Sequence, residues 1–290
     1  MNQELASPQT ARRGQGGPWS YISPSRLNLW LKCPLAWKLR YVDGVKTPTT
    51  PNLFIGKMTH TGLEHYYRLK QLGTRLNSGD IVRHVEDRWE EAASEERIAF
   101  ENDEAEQAAR SQVAGLLTVY LEEVPEDEPR TLAVETTLEA PLVDPVTGDA
   151  LGIPLLGIAD LVLDGPNGPI VIDFKTAARS TTPLEITHEI QLSCYAWLLR
   201  EHWGTIESGL EIRSLIKTKK PQLRVHRYDR RSDRHFQRLF SAIHAYLADL
   251  RSQEFIFRPG FACSWCDFRE THCQQWGGTS VLVEGKEASA

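Results

Sequence analysis

The stretch Ile170–Ser180, IVIDFKTAARS, begins with an apolar run into which Asp173 and Lys175 are set. Its alternation is typical of a β-strand, in which residues i and i+2 project from the same face. Asp173 and Lys175 would therefore lie side by side, with Ile172 and Phe174 on the opposite face. A carboxylate and an ammonium group at the end of a core strand need a physical explanation.

The segments around this strand predict a sheet. Two strand-like segments follow Pro129, TLAVETTLEAPL and LLGIADLVLDG, and a Pro-Asn-Gly-Pro turn leads from the second into the Ile170 strand. A helix with apolar residues at helical spacing, ending at Gly204, comes next, then two strands joined at Lys220-Pro221 and a last, amphipathic helix, SDRHFQRLFSAIHAYLADLRSQ.

The first part of the chain predicts helices. Ser23 is the expected N-cap of a helix with Pro24 at its first position, and a second helix is expected from Gly56 to about Leu72. Residues 80–123 are acidic and mostly helical in pattern, which is typical of solvated helix faces. The sum is an α/β core with a central sheet and an N-terminal helical section.

Amino-acid composition and charge exclude several classes of protein. The 290 residues carry a net charge of -6 with 41% hydrophobic content, as in an ordinary globular protein. No apolar run reaches the length of a transmembrane span, and the N-terminus lacks the apolar region of a signal peptide. Five cysteines, an odd number, argue against a disulfide framework. These features predict a cytoplasmic protein.

Asp160 offers one answer to the question set by Asp173 and Lys175. It lies in the preceding strand, so a hairpin would bring the two aspartates to neighbouring positions. Two carboxylates held close repel each other, and a divalent cation offsets that repulsion. Lys175 would then supply positive charge where a phosphate or an attacking water develops negative charge. The alternative is an ion pair between Asp173 and Lys175 on an edge strand.

Four short motifs in order resemble the RecB-type branch of the PD-(D/E)XK nucleases, which have a restriction-endonuclease-like core with a central mixed sheet. The motifs are Gly56/His60, Gly157/Asp160, Asp173/Lys175 and Gln191/Tyr195. The opening stretch YISPSRLNLWLKCPLAWKLRYVDGV also resembles stand-alone members of that group. The resemblance spans roughly Tyr21 to Trp276, and it departs from the superfamily's name at Ala159, where a proline is usual.

The resemblance implies roles for these residues. His60, Asp160 and Asp173 would bind one or two Mg²⁺ or Mn²⁺ ions, together with the backbone carbonyl of Phe174. Lys175 would orient the attacking water and stabilise the transition state. The remaining residues of the implied site are Gln191 and Tyr195, which would position the lysine and the nucleic-acid backbone, and Glu135, an outer acid or an exposed strand residue.

The cysteines suggest a second metal site. Cys263, Cys266 and Cys273 form a compact triplet, and Cys33, 230 residues before Cys263, is the candidate fourth ligand. Four thiolates suit either zinc or an iron–sulfur cluster. One distant cysteine plus a C-terminal triplet resembles the [4Fe–4S] loop of AddB and of CRISPR-adaptation nucleases, so the resemblance favours [4Fe–4S]. Cys194 is expected to be a small buried residue.

A basic segment predicts contact with nucleic acid. Residues 213–234 contain nine Lys or Arg against two acids, in a protein of negative net charge. Lys217 and Lys219 are the residues expected to contact nucleic acid. The alternative is that the segment is a solvated hairpin without such a role. Trp30, Trp37 and Trp265 could stack on bases, although aromatic side chains more often belong to the core.

These inferences predict a metal-dependent DNA exonuclease that hydrolyses single-stranded DNA or DNA ends by a two-metal mechanism. The alternative is a DNA-end-binding or end-trimming subunit that acts with protein partners in repair, recombination or CRISPR adaptation. One nuclease domain is expected over residues 19–276, with a helical insertion at about 57–125 and a Cys-rich closure at 258–276. Residues 1–18 would be a disordered leader and residues 277–290 a tail.

Overall fold

The computed structural model describes residues 17–125, 127–178 and 185–273. Five helices precede the sheet, and two follow its third and fifth strands. The helices are α1 (Pro24–Lys32), α2 (Pro34–Tyr41), α3 (Pro51–Gln71), α4 (Ser78–Glu96), α5 (Asp103–Glu123), α6 (Glu185–Trp203) and α7 (Asp233–Ser252), and a 3₁₀ helix spans Phe261–Trp265.

The sheet has five strands in the order in which they occur along the chain. They are β1 (Thr131–Val143), β2 (Ala150–Gly165), β3 (Gly168–Ala177), β4 (Gly209–Ile216) and β5 (Gln222–Asp229). Neighbouring strands are antiparallel except β3 and β4, which are parallel and are connected through α6. The predicted α/β fold with a central mixed sheet and an N-terminal helical section is confirmed.

Local signals fix the starts of the early helices. The Ser23 hydroxyl accepts a hydrogen bond from the amide of Arg26 and caps α1, as the sequence predicts. Helix α3 begins at Pro51, five residues before the expected Gly56, because Thr50 caps it and a proline at the first position suits a helix N-terminus. His60 therefore lies in the middle of a long helix, where neighbouring turns hold it in place.

Two apolar cores lie on opposite faces of the sheet. Helices α3, α4 and α5 pack on one face, and their core includes Phe54, Trp89 and Phe174. Helices α1, α2, α6 and α7 pack on the other face, around Trp37, Leu198 and Tyr246. The apolar side chains of β3 divide between the two cores, since Val171 belongs to the second and Ile172 to the first. The strand is thus covered on both faces.

The alternation of side chains reverses partway along the pairing of β1 with β2. Leu161 of β2 faces the α3 side although Ala159, two residues earlier, faces the α6 side. In β1, Glu135 has φ 44, a left-handed conformation that is uncommon for a residue with a side chain. The pairs on either side, Val134 with Leu161 and Thr136 with Ala159, place Glu135 opposite Asp160. The reversal sets both carboxylates apart from the apolar cores.

No helix among the described residues is long and apolar enough to cross a membrane. The expected leader falls outside the described residues for positions 1–16, and the expected tail, 277–290, lies wholly outside them.

Candidate active site

Asp173 and Lys175 lie on one face of β3, as the alternation predicts. Lys175 Nζ is 2.7 Å from Asp173 Oδ2, and the lysine side chain is 38% exposed while the aspartate side chain is 3% exposed. That buried oxygen receives no hydrogen bond of good geometry. Asp173 Oδ2 therefore has an ion-pair contact and free acceptor capacity, which a cation could use.

Helix α6 holds the other oxygen of Asp173. Gln191 Nε2 donates to Asp173 Oδ1 at 2.7 Å, and the hydroxyl of Tyr195 lies 3.5 Å from the same atom. Gln191 Nε2 is also 3.3 Å from the Tyr195 oxygen, so the two residues act as neighbours one turn apart. Burial raises the pKa of Tyr195 well above its usual value, and the nearby Asp173 charge acts in the same direction, so the phenol stays neutral.

Gly157 allows α6 to approach β2 closely enough for these contacts. A Cβ atom at Gly157 would lie 2.6 Å from Leu198 Cδ1 and 3.5 Å from Tyr195 Cε1. Gly56 has a similar role on the other face, where a Cβ would lie 3.0 Å from Thr176 Oγ1 at the end of β3. Packing thus explains the glycines of two motifs. Gly157 lets α6 approach β2, which carries Asp160, and Gly56 lets α3 approach β3, which carries Asp173.

Asp160 is fixed by the backbone of β3. Its Oδ2 accepts a hydrogen bond of 2.7 Å from the amide of Phe174. Burial raises the pKa of Asp160 to about 7, and the charge of Asp173 adds to that rise. Without a cation, this carboxyl group is therefore half protonated near neutral pH.

His60 reaches the strands from α3. Its Nε2 is 3.1 Å from the carbonyl oxygen of Phe174, so this nitrogen carries the proton. Its Nδ1 is 3.7 Å from Asp160 Oδ2 and 4.0 Å from Glu135 Oε1. Burial alone would lower the pKa of His60, but Glu135 and the two aspartates outweigh it and raise the pKa above its usual value.

Three groups lie close enough to share one cation. A ligand atom from each of His60, Glu135 and Asp160 falls within 4.8 Å of the other two. The sequence interpretation gave Glu135 only an outer role, because its left-handed backbone and its place opposite Asp160 leave no local sequence signal. Asp173 stands beside this group, and the Phe174 carbonyl contacts the His60 ring. The structure thus brings His60 and Asp160 together with Glu135, and Asp173 is near enough for its charge to act on both.

Lys217, one of the two expected nucleic-acid ligands, lies just past the end of β4. Its amide donates to the carbonyl of Ala177 at 2.7 Å, and its Nζ is 3.2 Å from Asn52 Oδ1 at the start of α3. It therefore stands at the same edge of the sheet as the end of β3. Lys219 lies two residues further, in the exposed turn between β4 and β5.

The four cysteines of the expected second site line one cavity of about 300 Å³. Cys33 lies at the junction of α1 and α2, and Cys263, Cys266 and Cys273 come from the C-terminal loop. Burial raises the pKa of the Cys273 thiol, and the three other thiols add to the rise. Cys194 is fully buried in α6, as expected.

The loop is anchored to α1 and α2 by further contacts. The amide of Leu35 donates to the carbonyl of Ile256 at 3.2 Å, and Arg258 donates to the carbonyl of Leu31. Arg40 forms an ion pair of 3.1 Å with Asp267. Among the three tryptophans considered for stacking, Trp30 and Trp37 are core residues, whereas the Trp265 side chain is exposed.

A mixed sheet that brings two acids and a lysine to neighbouring strands, with a histidine from a packed helix, has the arrangement expected of nucleases of the PD-(D/E)XK type. The chain belongs to the PD-(D/E)XK nuclease superfamily, whose family model matches residues 21–274.

One solved structure supports the fold. The chain is similar to a protein described as a "Putative exonuclease" from Eubacterium rectale, with 14% identity, a TM-score of 0.57, and coverage of 98% of this chain and 96% of that one. A second structure, of the protein SSO0001, has 19% identity and a TM-score of 0.37 over 74% of this chain and 93% of that one. No curated protein matches the chain in sequence.

Proposed function

We propose that this protein is a divalent-metal-dependent deoxyribonuclease that acts as an exonuclease on single-stranded DNA or DNA ends. One observation carries the proposal: Asp160, Asp173 and His60 meet at the edge of the sheet with the Lys175 ammonium beside them. Membership of the nuclease superfamily agrees with this chemistry.

The residues present fit a hard divalent cation. Carboxylate oxygens with one imidazole suit Mg²⁺ or Mn²⁺, and Asp173 keeps a buried oxygen without a hydrogen bond. His60, Asp160 and Asp173 would hold one or two ions, with Glu135 as a further carboxylate. His60 would use Nδ1, since Nε2 donates to the Phe174 carbonyl, which thereby orients the ring. A bound cation would polarise the phosphate and lower the pKa of water.

The chain's own groups supply the rest of the chemistry. Lys175 sets a positive charge where the phosphate develops negative charge during attack by water. Gln191 and Tyr195 hold the Asp173 carboxylate from the side opposite the lysine. The Asp173 oxygen that faces Lys175 therefore keeps a fixed direction while substrate binds.

The test is hydrolysis of end-labelled single-stranded DNA by pure protein in Mn²⁺. Shortening of the strand from an end, lost in Asp173→Asn and absent with chelator, supports the proposal. A circular single strand separates exonuclease from endonuclease action, because only an endonuclease cleaves it. The second candidate, an end-binding subunit of a repair, recombination or CRISPR-adaptation complex, is favoured if the pure protein binds ends but hydrolyses them only with partners.

We also propose that Cys33, Cys263, Cys266 and Cys273 hold a [4Fe–4S] cluster. Support comes from the meeting of four thiols in one cavity, although Cys33 lies 230 residues before Cys263, and from the binding of iron–sulfur clusters by thiolates. Zinc is the alternative metal that four thiolates could bind. Iron, sulfide and zinc analysis of anaerobically purified protein decides between them.

The proposal extends to organisation. Residues 19–276 would form one nuclease domain in which α3, α4 and α5 are the helical insertion and the cysteine loop is the closure, flanked by a leader and a tail. The protein would act in the cytoplasm, where reducing conditions favour free thiols and metal ligation over disulfides.

A further inference from the structure

The sheet continues from Lys175 onto β4 and β5. Lys175 is in register with Ser214 of β4, which is in register with Arg224 of β5. Residues in register on neighbouring strands project from the same face of the sheet. This face is the one covered by α6 and α7, because Leu210 and Ile212 of β4 belong to that core.

The α6 side of β4 changes character along the strand. Leu210 and Ile212 are buried, whereas Ser214 is half-buried and Arg224 is exposed. The apolar cover by Leu210 and Ile212 is thus interrupted at the row of Lys175, where Ser214 and Arg224 are open to solvent next to the candidate active site, although Ile216 beyond this row is buried again.

Two histidines border the open part. His226 is in register with Ile212 on the same face, and His188 lies three residues before Gln191 on α6, hence on the helix face that meets Asp173. Burial lowers the pKa of His188, and the charges of Lys175 and His226 lower it further. We call Ser214, Arg224, His226 and His188 the β4–β5 strip.

The strip carries an uncompensated charge. Arg224 donates to Gln222 Oε1 at 2.8 Å, and within the described ranges no carboxylate pairs with it. By contrast, Arg213 and Arg227, on the opposite face of the same two strands, both pair with Glu211. An unpaired guanidinium with a hydroxyl and two imidazoles beside it suits a phosphate diester.

We propose that the β4–β5 strip binds the phosphate next to the scissile one, so that a single DNA strand runs from Lys175 across β4 to β5. Arg224 would hold the phosphate with its fork of donors, and Ser214 and the histidines would complete the contact. Neighbouring strands lie about 4.8 Å apart, so Arg224 stands two strand spacings from Lys175 and its long side chain can reach back toward the next nucleotide. This inference rests on the proposed function.

Two measurements test the strip. In steady-state hydrolysis, Arg224→Ala is expected to raise KM about tenfold with kcat little changed, and Arg224→Lys to recover part of the loss, because lysine keeps the charge but not the fork. Arg227→Ala is the matched control, since it removes the same charge from the other face of β5. The slope of the logarithm of the binding constant against the logarithm of salt concentration should fall by about one released ion in Arg224→Ala, and it should stay unchanged in Arg227→Ala.

The second measurement is binding in Ca²⁺ to a series of single-stranded oligonucleotides, each with one neutral methylphosphonate linkage. A neutral linkage at one position of the series should weaken binding to the wild type about tenfold, which is about as much as Arg224→Ala does. The same linkage should not weaken binding to Arg224→Ala any further. Arg227→Ala should keep the full penalty. Melting curves confirm that the variants are folded.

The outcomes separate the two proposals. One outcome is that the wild type hydrolyses DNA, while Arg224→Ala has an unchanged KM and the neutral linkage still weakens its binding in full. This outcome contradicts the proposed role of the strip and leaves the nuclease proposal standing. Binding that depends on Arg224 without any hydrolysis supports the strip and counts against the nuclease activity. A wild type that binds no oligonucleotide overturns both.

Discussion

Asp173 depends on its neighbours more than any other residue of the site. It is almost fully buried, so its charge must be offset by Lys175 and by the Gln191 amide. The lysine is also the only cation within 4.0 Å of the Asp173 carboxylate among the described residues. The same contact therefore serves the folded state and the chemistry that we propose.

Replacing Lys175 by alanine is expected to reduce kcat for single-stranded DNA by about 100- to 1,000-fold, because the charge that stabilises the transition state is lost. Binding of the same DNA in Ca²⁺ should weaken by less than about tenfold, since other groups hold the strand. Lys57→Ala is the control: Lys57 pairs with Glu96 on the surface, and its removal should leave kcat within about twofold. A Lys175→Ala enzyme as fast as the wild type would refute the role.

The raised pKa of Asp160, about 7, predicts a dependence on pH. Its folded pKa lies above the unfolded one, so the protonated form adds stability at low pH that is lost as pH rises through about 7. In the absence of metal, Asp160→Asn should therefore melt higher than the wild type at pH 8, by at least about 3 °C, and nearly together with it only near pH 4, close to the unfolded pKa of about 3.9.

Mn²⁺ should reverse that order, because the cation binds the ionised carboxylate and stabilises only the wild type. Metal affinity of the wild type should rise with pH up to about 7 and then level off. Melting curves with chelator and with Mn²⁺, from about pH 4 to about pH 9, measure both effects. Equal melting temperatures at every pH would show that Asp160 is not the titrating ligand.

At the scale of elements, the position of α6 decides whether Gln191 and Tyr195 reach Asp173. Gly157→Ala should push α6 away, because the new Cβ would lie 2.6 Å from Leu198 Cδ1. We expect a loss of about 1 to 3 kcal/mol in the free energy of unfolding, together with a lower kcat and weaker Mn²⁺ binding, because Asp173 loses its contacts from α6. Denaturant unfolding and kinetics measure these effects.

The second-site control is Gly157→Ala with Leu198→Ala, in which the clashing methyl group is gone. The double variant should recover kcat relative to Gly157→Ala, although the Leu198 cavity keeps its stability low. If the single variant already has the wild-type kcat, the close approach of α6 does not control the site.

Elements with local signals could be predicted from the sequence. The alternation of IVIDFKT and the turn before it predict β3, and the apolar spacing of the segment after it predicts α6. The order of four short motifs places His60, Asp160, Asp173 and Lys175 in one site. The closeness of Glu135 to His60 could not be predicted in this way, because it depends on the left-handed backbone of Glu135 within β1 and on the register of β1 with β2.

At the scale of the whole molecule, the cysteine cavity joins the two ends of the described chain. Cys33 separates α1 from α2, which pack under α6 and α7, and the other three cysteines follow the last helix. A link between Cys33 and the C-terminal loop would close a loop of 230 residues between Cys33 and Cys263. Closing so long a loop removes much of the conformational entropy of the unfolded chain.

Cys33→Ala is therefore expected to lose the cluster and to lower the stability of the whole domain by about 2 to 5 kcal/mol, as the loss of a long-range crosslink does. The change should appear as lost iron and sulfide, a lower melting temperature, and faster proteolysis after α7. Cys194→Ala is the matched control, because it also removes a thiol but lies buried in α6 away from the cavity, so it should keep the full iron content. Iron retained in Cys33→Ala, or zinc in the wild type, contradicts the iron–sulfur proposal, whereas a stable, iron-free Cys33→Ala protein contradicts the crosslink.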